Sequence, residues 1–355
     1  MAYQRDLWFH DWIIHVTPTI KDVAKQAGVS RSTVSRVLTG SPHVSPEARD
    51  AVMSAIRSTG YRLNSHARSL ASGRNHAVAV LLTQPSDELF EDPTMRELIK
   101  GVSEGFGDSS DALILLLAGS DLERRRTAPF LDKRRIDGVV HLTPHMTDPL
   151  LDQIISAELP VAVCGRLRMD TPSPLVRTVT VDDTSGARLA GEHLLQSGAR
   201  RIAMIAGPED APGSEARLEG FQMALSSTFD PALLRHGDYS HTSGRAAMQA
   251  LLAADPSIDG VFCASDRMAM GAYQVLEKEG RRIPDDVQVV GFDDHEFASE
   301  LDPPLTSVRQ PIQLLGEQAM VMLMALIRGE DPGHRVFPTS LIVRSSTKGR
   351  ASDDA

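Results

Sequence analysis

Polar and aromatic side chains that could hold a small molecule follow several apolar runs of this chain. Asp293 follows the run 287–292, and Arg217 opens a helical segment after the loop 207–213. Ligands of open α/β sheets bind beyond the carboxyl ends of the strands. A carboxylate and a guanidinium can grip neighbouring hydroxyls, and Tyr239 can stack on the apolar face of a sugar ring. This arrangement predicts a carbohydrate site. Its candidate contacts are Asp293, Arg217, Tyr239, Ser265, Arg166 and Phe90.

These candidates also have structural explanations. Asp293 could cap the segment that follows it, while Tyr239 and Arg166 could be packed wall residues. An arginine at the start of a helix, as at Arg217, is unfavourable with the helix dipole, so a binding role explains it better. Both explanations of Tyr239 and Arg166 stay open on the sequence alone.

The elements that would position these residues alternate regularly from Ala77 onward. Continuous apolar runs indicate strands that are covered on both faces, and therefore parallel sheets built from βα units. A second series begins after Asp183, which predicts two doubly wound lobes with a cleft between them. The strand candidates are residues 77–82, 113–117, 138–142, 161–164, 178–181, 202–206, 260–264 and 287–292. The helical candidates are residues 95–105, 122–134, 149–157, 185–198, 214–226, 243–254 and 266–279.

The segment 19–74 has a different, all-helical pattern. Thr19 and Asp22 suit the N-cap and N3 positions of a capping box, and Gly28 ends this first helix. Ser30 suits the N-cap of a second helix. Two short helices joined by a glycine turn are typical of a helix-turn-helix.

The second helix carries polar residues that could read DNA. The residues that lie outside its apolar stripe are Arg31, Ser32, Ser35 and Arg36. A third helix at 45–60 can close a small core with the first two. Side chains at the start of a recognition helix reach base edges, and an arginine on a guanine is worth about 1–3 kcal/mol of discrimination. We therefore predict that Arg31, Ser32 and Arg36 read bases.

Both regions resemble the lactose-repressor/galactose-repressor family of bacterial transcription factors. The run 19–38 is similar to the headpiece signature of that family, and 67–73 is similar to its hinge helix. Leu63 stands where the family usually has proline. The similarity continues through a periplasmic-binding-protein-like core to about Thr347. Motifs that carry it include Arg217-x-x-Gly220-Phe221, Ala264-Ser265-Asp266, Val290-Gly291-Phe292-Asp293-Asp294 and Pro304-Leu305-Thr306.

The resemblance implies DNA contacts beyond the base-reading residues. Phosphate-positioning residues would be Thr19, Ser30, Thr33, Ser35, Thr39, His43, Ser45 and Asn64. Helix capping and a solvated surface explain the same residues. In the hinge helix, Ala67 and Leu70 would enter the minor groove, with Leu70 kinking the duplex as a wedge. Helix packing is the alternative for Leu70.

The resemblance also implies roles in the cleft. Asp293 stands where the family places an acceptor for ligand hydroxyls, and Arg217 matches an effector-binding residue. Ser265 occupies a position where many sugar-binding relatives have asparagine, and Gly165 one where many have aspartate. These two differences leave the identity of the effector open.

The charge of the chain is unevenly distributed. The whole chain carries a net charge of −10, but residues 17–74 hold nine Lys or Arg and three Asp or Glu, a balance of +6. The remainder therefore carries −16. A basic headpiece is attracted to phosphates, and an acidic body is repelled from the duplex. The distribution indicates double-stranded DNA as a partner.

Other function classes find little support in the sequence. Signatures of nucleotide-binding loops, serine hydrolases and zinc proteases are absent, so we predict no enzyme activity, cofactor or metal site. Cys164 and Cys263 lie in apolar runs, as buried thiols in a reducing cytoplasm would. No stretch is long enough to cross a membrane, so we predict no membrane partner and a cytoplasmic, nucleoid-associated protein. A solute-binding protein without DNA function would explain the core but not residues 19–74.

The predicted organisation is modular. Residues 1–16 form a disordered extension or an over-extended gene start, 17–63 the helix-turn-helix domain, 64–74 the hinge, and 75–355 the effector-binding and dimerisation core. By resemblance, lobe one spans about 75–181 and 309–336, and lobe two about 182–308 and 337–347. We predict a homodimer that binds a palindromic operator and is released by a sugar or sugar derivative in the cleft. Dependence on a purine-type co-repressor is the alternative.

Overall fold

The computed structural model describes residues 18–38, 41, 43–61, 73–85, 89–143, 148–167 and 173–349. The chain divides into two compact units between His76 and Ala77. The predictions for Thr39, Asn64, Ala67, Leu70 and the extension 1–16 lie outside the described residues. Among the residues that are described, no helix is both long and apolar enough to span a membrane.

The first unit is a small bundle of helices around an aliphatic core. Its helices are α1 (Ile20–Ala27), α2 (Arg31–Leu38) and α3 (Pro46–Thr59). Gly28 ends α1 with a φ of +67°, a left-handed conformation that glycine adopts without a steric penalty. The fully buried side chains of Val23, Val34 and Val52 bring one residue from each helix into the core. The sequence-predicted packing of three amphipathic stripes is therefore present.

The second unit contains two six-stranded sheets. Its strands are β1 (Ala77–Leu82), β2 (Ala112–Leu117), β3 (Gly138–Leu142), β4 (Val161–Cys164), β5 (Val176–Val181), β6 (Ile202–Ala206), β7 (Leu234–His236), β8 (Gly260–Cys263), β9 (Gln288–Asp293), β10 (Thr306–Arg309), β11 (Arg335–Phe337) and β12 (Ser340–Ile342). The first sheet has the order β11-β5-β4-β3-β1-β2, and the second has the order β12-β10-β9-β8-β6-β7. The pairings are parallel except that between β10 and β12.

Helices cover these sheets and complete two lobes. They are α4 (Pro93–Phe106), α5 (Asp121–Thr127), α6 (Pro149–Ser156), α7 (Asp183–Gln196), α8 (Pro212–Leu225), α9 (His241–Ala254), α10 (Asp266–Lys278) and α11 (Ile312–Ile327). We call the first sheet with α4–α6 and α11 lobe one, and the second sheet with α7–α10 lobe two. The central strands β1, β3, β4, β6, β8 and β9 are buried throughout, as expected for parallel sheets with helices on both faces. This architecture confirms the predicted fold class.

The chain crosses between the lobes after β10. Helix α11 packs against α4 in lobe one, β11 then pairs with β5 of the first sheet, and β12 pairs with β10 of the second. These crossings place the strand ends of both lobes on one cleft. The two lobes are therefore connected by chain segments that are far apart in sequence.

Two local predictions were wrong. The helix predicted at 122–134 ends at Thr127 and continues only as a 3-10 turn over Ala128–Phe130, because Pro129 has no N–H for the α-helical ladder. Arg217 does not open its helix, since α8 begins at Pro212, where a proline suits the first helical position. The dipole argument for Arg217 therefore does not apply.

Candidate functional site

The exposed face of α2 carries the predicted base-reading residues. Arg31, Ser32 and Arg36 are all exposed, whereas Val34 and Val37 are buried beneath them. Because Ser32 and Arg36 are four residues apart, they lie on the same side of the helix. This surface can enter a groove of DNA without unpacking the headpiece core. The base-reading assignment itself stays a prediction.

Several predicted phosphate contacts also serve as helix caps. The Ser30 hydroxyl accepts from the Thr33 N–H at 3.1 Å, and the Ser45 hydroxyl accepts from the Ala48 N–H at 3.3 Å. The N–H and hydroxyl of Thr19 donate to the Asp22 carboxylate at 2.8 and 2.7 Å. The remaining described members are Ser35 and His43, which are exposed, and Thr33, which is half-buried. Capping therefore explains part of this set whether or not DNA is bound.

A cleft of about 290 Å³ lies between the two lobes of the core. Lobe one contributes Thr94 of α4 and Arg166 after β4, among others, and lobe two contributes Arg217, Tyr239 and Asp293. The cleft lies beyond the carboxyl ends of the strands, where ligands of such sheets bind. The structure thus brings together five of the six candidates that were chosen from the sequence, namely Asp293, Arg217, Tyr239, Ser265 and Arg166.

Arg217 is a buried clamp in lobe two. Its Nε donates to Asp183 Oδ1 at 2.9 Å, and its Nη1 donates to the Ala264 carbonyl at 2.5 Å. The guanidinium lies over the Phe292 ring at 3.6 Å from the centroid. Burial alone would lower the pKa of Arg217, but the charge of Asp183 and of other nearby groups raises it, so the side chain stays charged. These bonds use two of five N–H donors, and the others can serve a ligand.

Asp293 ends β9 in a conformation that few residues adopt. Its φ is +114°, outside the regions that non-glycine residues prefer, and its side chain is buried. Gln310 Nε2 donates to Asp293 Oδ1 at 2.6 Å, and Arg217 Nη1 lies 3.9 Å from the same oxygen. Burial raises the pKa of Asp293, and the charges of His295 and Arg217 partly offset that rise. The carboxylate is held rigidly toward the cleft.

Ser265, Tyr239 and Arg166 line the cleft in different ways. Ser265 is the N-cap of α10: its hydroxyl accepts from the Met268 N–H at 3.2 Å and donates to the Tyr239 carbonyl at 3.3 Å. Tyr239 has a φ of +67° and packs its ring against Gly207. Burial raises its pKa to about 12, so the phenol stays neutral. Arg166 is exposed at the cleft wall.

Phe90 is not brought into the cleft. Its side chain is 83% exposed, and it is not among the residues that line the cavity. It lies between β1 and α4. Gly165 lies in the cleft wall with a φ of +133°, so the backbone there favours glycine over the aspartate that many relatives have.

Functional candidates missed by the sequence reasoning come from both lobes. Asp183 anchors Arg217, and Gln310 anchors Asp293. Across the cleft, Arg267 Nη1 of lobe two lies 3.8 Å from Asp92 Oδ2 of lobe one. Asp183 also follows an apolar run, so the criterion that selected Asp293 could have selected it. Arg267 and Asp92 carry no such signal, because only the tertiary fold brings them together.

The chemistry of the cleft suits an uncharged, hydroxyl-rich molecule. Its buried guanidinium and carboxylates are already paired with each other, so a ligand need not bring a charge to neutralise them. Gln84 Oε1 and Thr143 Oγ1, which belong to cleft-lining residues, are buried without a hydrogen-bond partner. Hydroxyl groups of a ligand would satisfy such atoms. Among the described residues, no cluster of His, Cys, Asp and Glu could hold a metal ion.

Comparison with known proteins identifies the family. A model described as bacterial regulatory proteins, lacI family, matches residues 19–64, and a periplasmic binding protein-like domain matches residues 192–347. The HTH-type transcriptional regulator CelR of Thermobifida fusca is 39% identical over 334 residues, covering 93% of this chain and 98% of the relative. The chain belongs to the lacI family.

Solved structures of lacI-family proteins share the fold. A CelR–cellobiose complex is 38% identical with a TM-score of 0.73, and the alignment covers 93% of this chain and 99% of that one. A lac repressor dimer bound to operator and the anti-inducer ONPF is 27% identical with a TM-score of 0.80, covering 94% and 100%. As a lacI-family member, this chain is a ligand-responsive, DNA-binding transcriptional repressor and not an enzyme.

Proposed function

We propose that this lacI-family repressor binds operator DNA as a homodimer and releases it when an uncharged sugar enters the interlobe cleft. The observation that carries the proposal is the buried pair formed in the cleft by Asp293 at the end of β9 and Arg217 in α8, with Arg217 Nη1 3.9 Å from Asp293 Oδ1. A carboxylate accepts from ligand hydroxyls and a guanidinium donates to them, so the two together suit a polyol.

A sugar fits the cleft better than a purine does. Tyr239 is the aromatic residue among the described cleft-lining positions, and its ring is packed on Gly207. A flat base is commonly stacked between two aromatic faces, and the described residues of this wall offer one. The solved CelR complex contains cellobiose, so a β-linked glucose disaccharide is the first effector to test.

A thermal-shift experiment tests the effector class. The full-length protein would be melted with cellobiose, glucose, ribose, glucose 6-phosphate or hypoxanthine, each at a concentration far above micromolar. A ligand at one hundred times its Kd stabilises the folded state by about 2.7 kcal/mol, so a specific sugar raises the Tm clearly. A shift with hypoxanthine alone would replace the sugar proposal with the purine alternative.

Release rather than co-repression is tested on DNA. We expect cellobiose to lower the affinity for a palindromic operator in fluorescence anisotropy, because the effector favours a lobe arrangement that disfavours the DNA-bound state. An increase in affinity with the same sugar would make it a co-repressor and contradict release.

The homodimer is supported by the edge of lobe one. Strand β2 consists of Ala, Leu and Ile only, stands at the end of its sheet, and exposes 52% of Leu115. An apolar edge strand of this kind is a natural place for another chain to pack. Light scattering should give a dimer at micromolar concentration, and Leu115→Lys should shift it toward monomer. A monomeric wild-type protein would contradict this part of the proposal.

The hinge role of Leu70 follows from the resemblance alone. We propose that Leu70 inserts into the minor groove at the centre of the operator. Leu70→Ala should weaken operator binding and reduce DNA bending in a gel-phasing assay. Unaltered bending would remove the wedge from the mechanism.

A further inference from the structure

His295 connects the Asp293 carboxylate of lobe two to helix α4 of lobe one. Its Nδ1 lies 3.1 Å from Glu97 Oε1, and its Nε2 lies 3.1 Å from Thr94 Oγ1. The same Nε2 is 3.6 Å from Asp293 Oδ2. One imidazole therefore contacts the binding site and the opposite lobe at the same time.

The imidazole is held in one orientation. Its side chain is 1% exposed and stacks on the Phe297 ring at 5.7 Å between centroids. The His295 backbone N–H donates to Asp266 Oδ2 at 2.9 Å, and Ser307 donates to the other oxygen of that carboxylate at 2.6 Å. A ring fixed in this way cannot follow Asp293 without disturbing its contacts with α4.

Acidic groups from three elements face the ring. They are Glu97 on α4, Asp293 on β9 and Asp266 on α10. Burial would lower the pKa of His295, but the hydrogen bond with Glu97 and the charges of Asp293 and Asp266 raise it overall. Burial together with the charge of Asp293 raises the pKa of Asp266 to about 8. The link between the lobes is therefore strongest when His295 carries a proton.

We propose that His295 is a positioning residue that transmits the state of Asp293 to the first turns of α4. The inference rests on the proposed function in one respect, since Asp293 must be an effector contact. Ligand hydroxyls that donate to the Asp293 carboxylate compete with His295 for the negative charge of that carboxylate. Because the ring also holds Thr94 and Glu97, ligand binding and the position of α4 become coupled.

A double-mutant cycle tests the link without any ligand. Amide hydrogen exchange of the first turns of α4 would be measured in full-length wild type, Asp293→Asn, His295→Gln and the double variant. We expect Asp293→Asn to speed exchange there about fivefold in the wild-type background and to add little when His295 is already replaced. Fully additive effects would overturn the proposal, because a merely structural histidine would not make the two changes interdependent.

Glu97→Gln provides a variant that is less disruptive to folding. Its carboxylate is 34% exposed, and the amide can still bond to the ring. In wild type, α4 protection should fall as the pH rises through the raised pKa of His295, and Glu97→Gln should move this loss to lower pH. Glu104→Gln is the matched control, since Glu104 lies on the same helix and bonds to Gln313 within lobe one. An identical pH profile in Glu97→Gln and wild type would also overturn the proposal.

Cellobiose titration separates this inference from the proposed function. If wild type binds no cellobiose but the exchange cycle is interdependent, cellobiose fails as the effector, whereas the link from Asp293 through His295 to α4 stands. If cellobiose binds and Asp293→Asn abolishes binding, but the cycle is additive, the effector site stands and the positioning role fails.

Discussion

The headpiece and the interlobe cleft use arginine in opposite ways. Arg31 and Arg36 are exposed on α2, above a core that is closed without them. Arg217 is buried, bonded to Asp183 and stacked on Phe292. The headpiece core is complete without its predicted DNA-binding side chains. In the cleft, by contrast, the predicted binding side chains are themselves part of the buried packing. A substitution in the first region should change recognition, and one in the second should change recognition and stability together.

Removing Arg217 gives the largest effect in this comparison. Arg217→Met leaves the buried Asp183 without its cation, so we expect the core to lose about 3–5 kcal/mol of unfolding free energy. Scanning calorimetry should record a clearly lower core transition. Arg282→Met is the matched control, because Arg282 is 70% exposed and pairs with Asp286 at the surface. A melting curve of Arg217→Met equal to that of wild type would show that the cleft can be altered independently of the core.

Asp293→Asn separates binding from stability within the cleft. Burial already raises the pKa of this carboxyl, so loss of its charge costs the fold little. A hydrogen bond to a charged group is worth about 1.5–3 kcal/mol, so the affinity for the effector should fall by about 10- to 100-fold. Calorimetric titration with cellobiose and operator binding without it give the two readouts. Asp331→Asn is the control, because the Asp331 side chain is 69% exposed and pairs with Arg177 outside the cleft. An unchanged sugar affinity would move the effector contact elsewhere.

Arg31→Ala and Arg36→Ala test whether the headpiece separates recognition from folding. Each should reduce discrimination between operator and random DNA by about 1–3 kcal/mol, without lowering the melting temperature. Competition anisotropy at fixed salt measures the ratio of the two affinities. Arg57→Ala removes the same charge from the exposed face of α3 and should weaken both affinities equally. Discrimination that survives in both α2 variants would contradict base reading by these arginines.

The two regions also differ in how far the sequence predicts them. The headpiece is local: caps, glycine turn and apolar stripe of α1 and α2 lie within about twenty residues, and the helices form as the pattern indicates. The predicted positions of strands such as β3 and β6 are correct, because short continuous apolar runs are typical of buried strands in parallel sheets. For these helices and strands, the local sequence pattern is sufficient for prediction.

The cleft depends on contacts that no local pattern encodes. Asp92 and Arg267 are far apart in sequence and meet only because two lobes face each other. Phe90 was predicted to contact the effector, and the fold leaves it exposed outside the cleft. Strand β11 was not predicted, since three residues that include an exposed Val336 carry no strand periodicity. Strand ends can be inferred from a sequence, but the partners of the side chains at those ends cannot.

Ser45 gives the smallest effect and tests whether the headpiece is as separable as its arginines indicate. Its hydroxyl caps α3, so Ser45→Ala should cost about 0.5–2 kcal/mol of headpiece stability. Ser45→Asp keeps a good cap but places a negative charge where a phosphate contact is predicted. If Ser45 serves both roles, the aspartate variant should melt like wild type and bind all DNA sequences more weakly, by a similar factor. If Ser45→Asp keeps the wild-type affinity for DNA, Ser45 acts only as a helix cap. The residues that stabilise the headpiece and those that bind DNA would then be separate at this position as well.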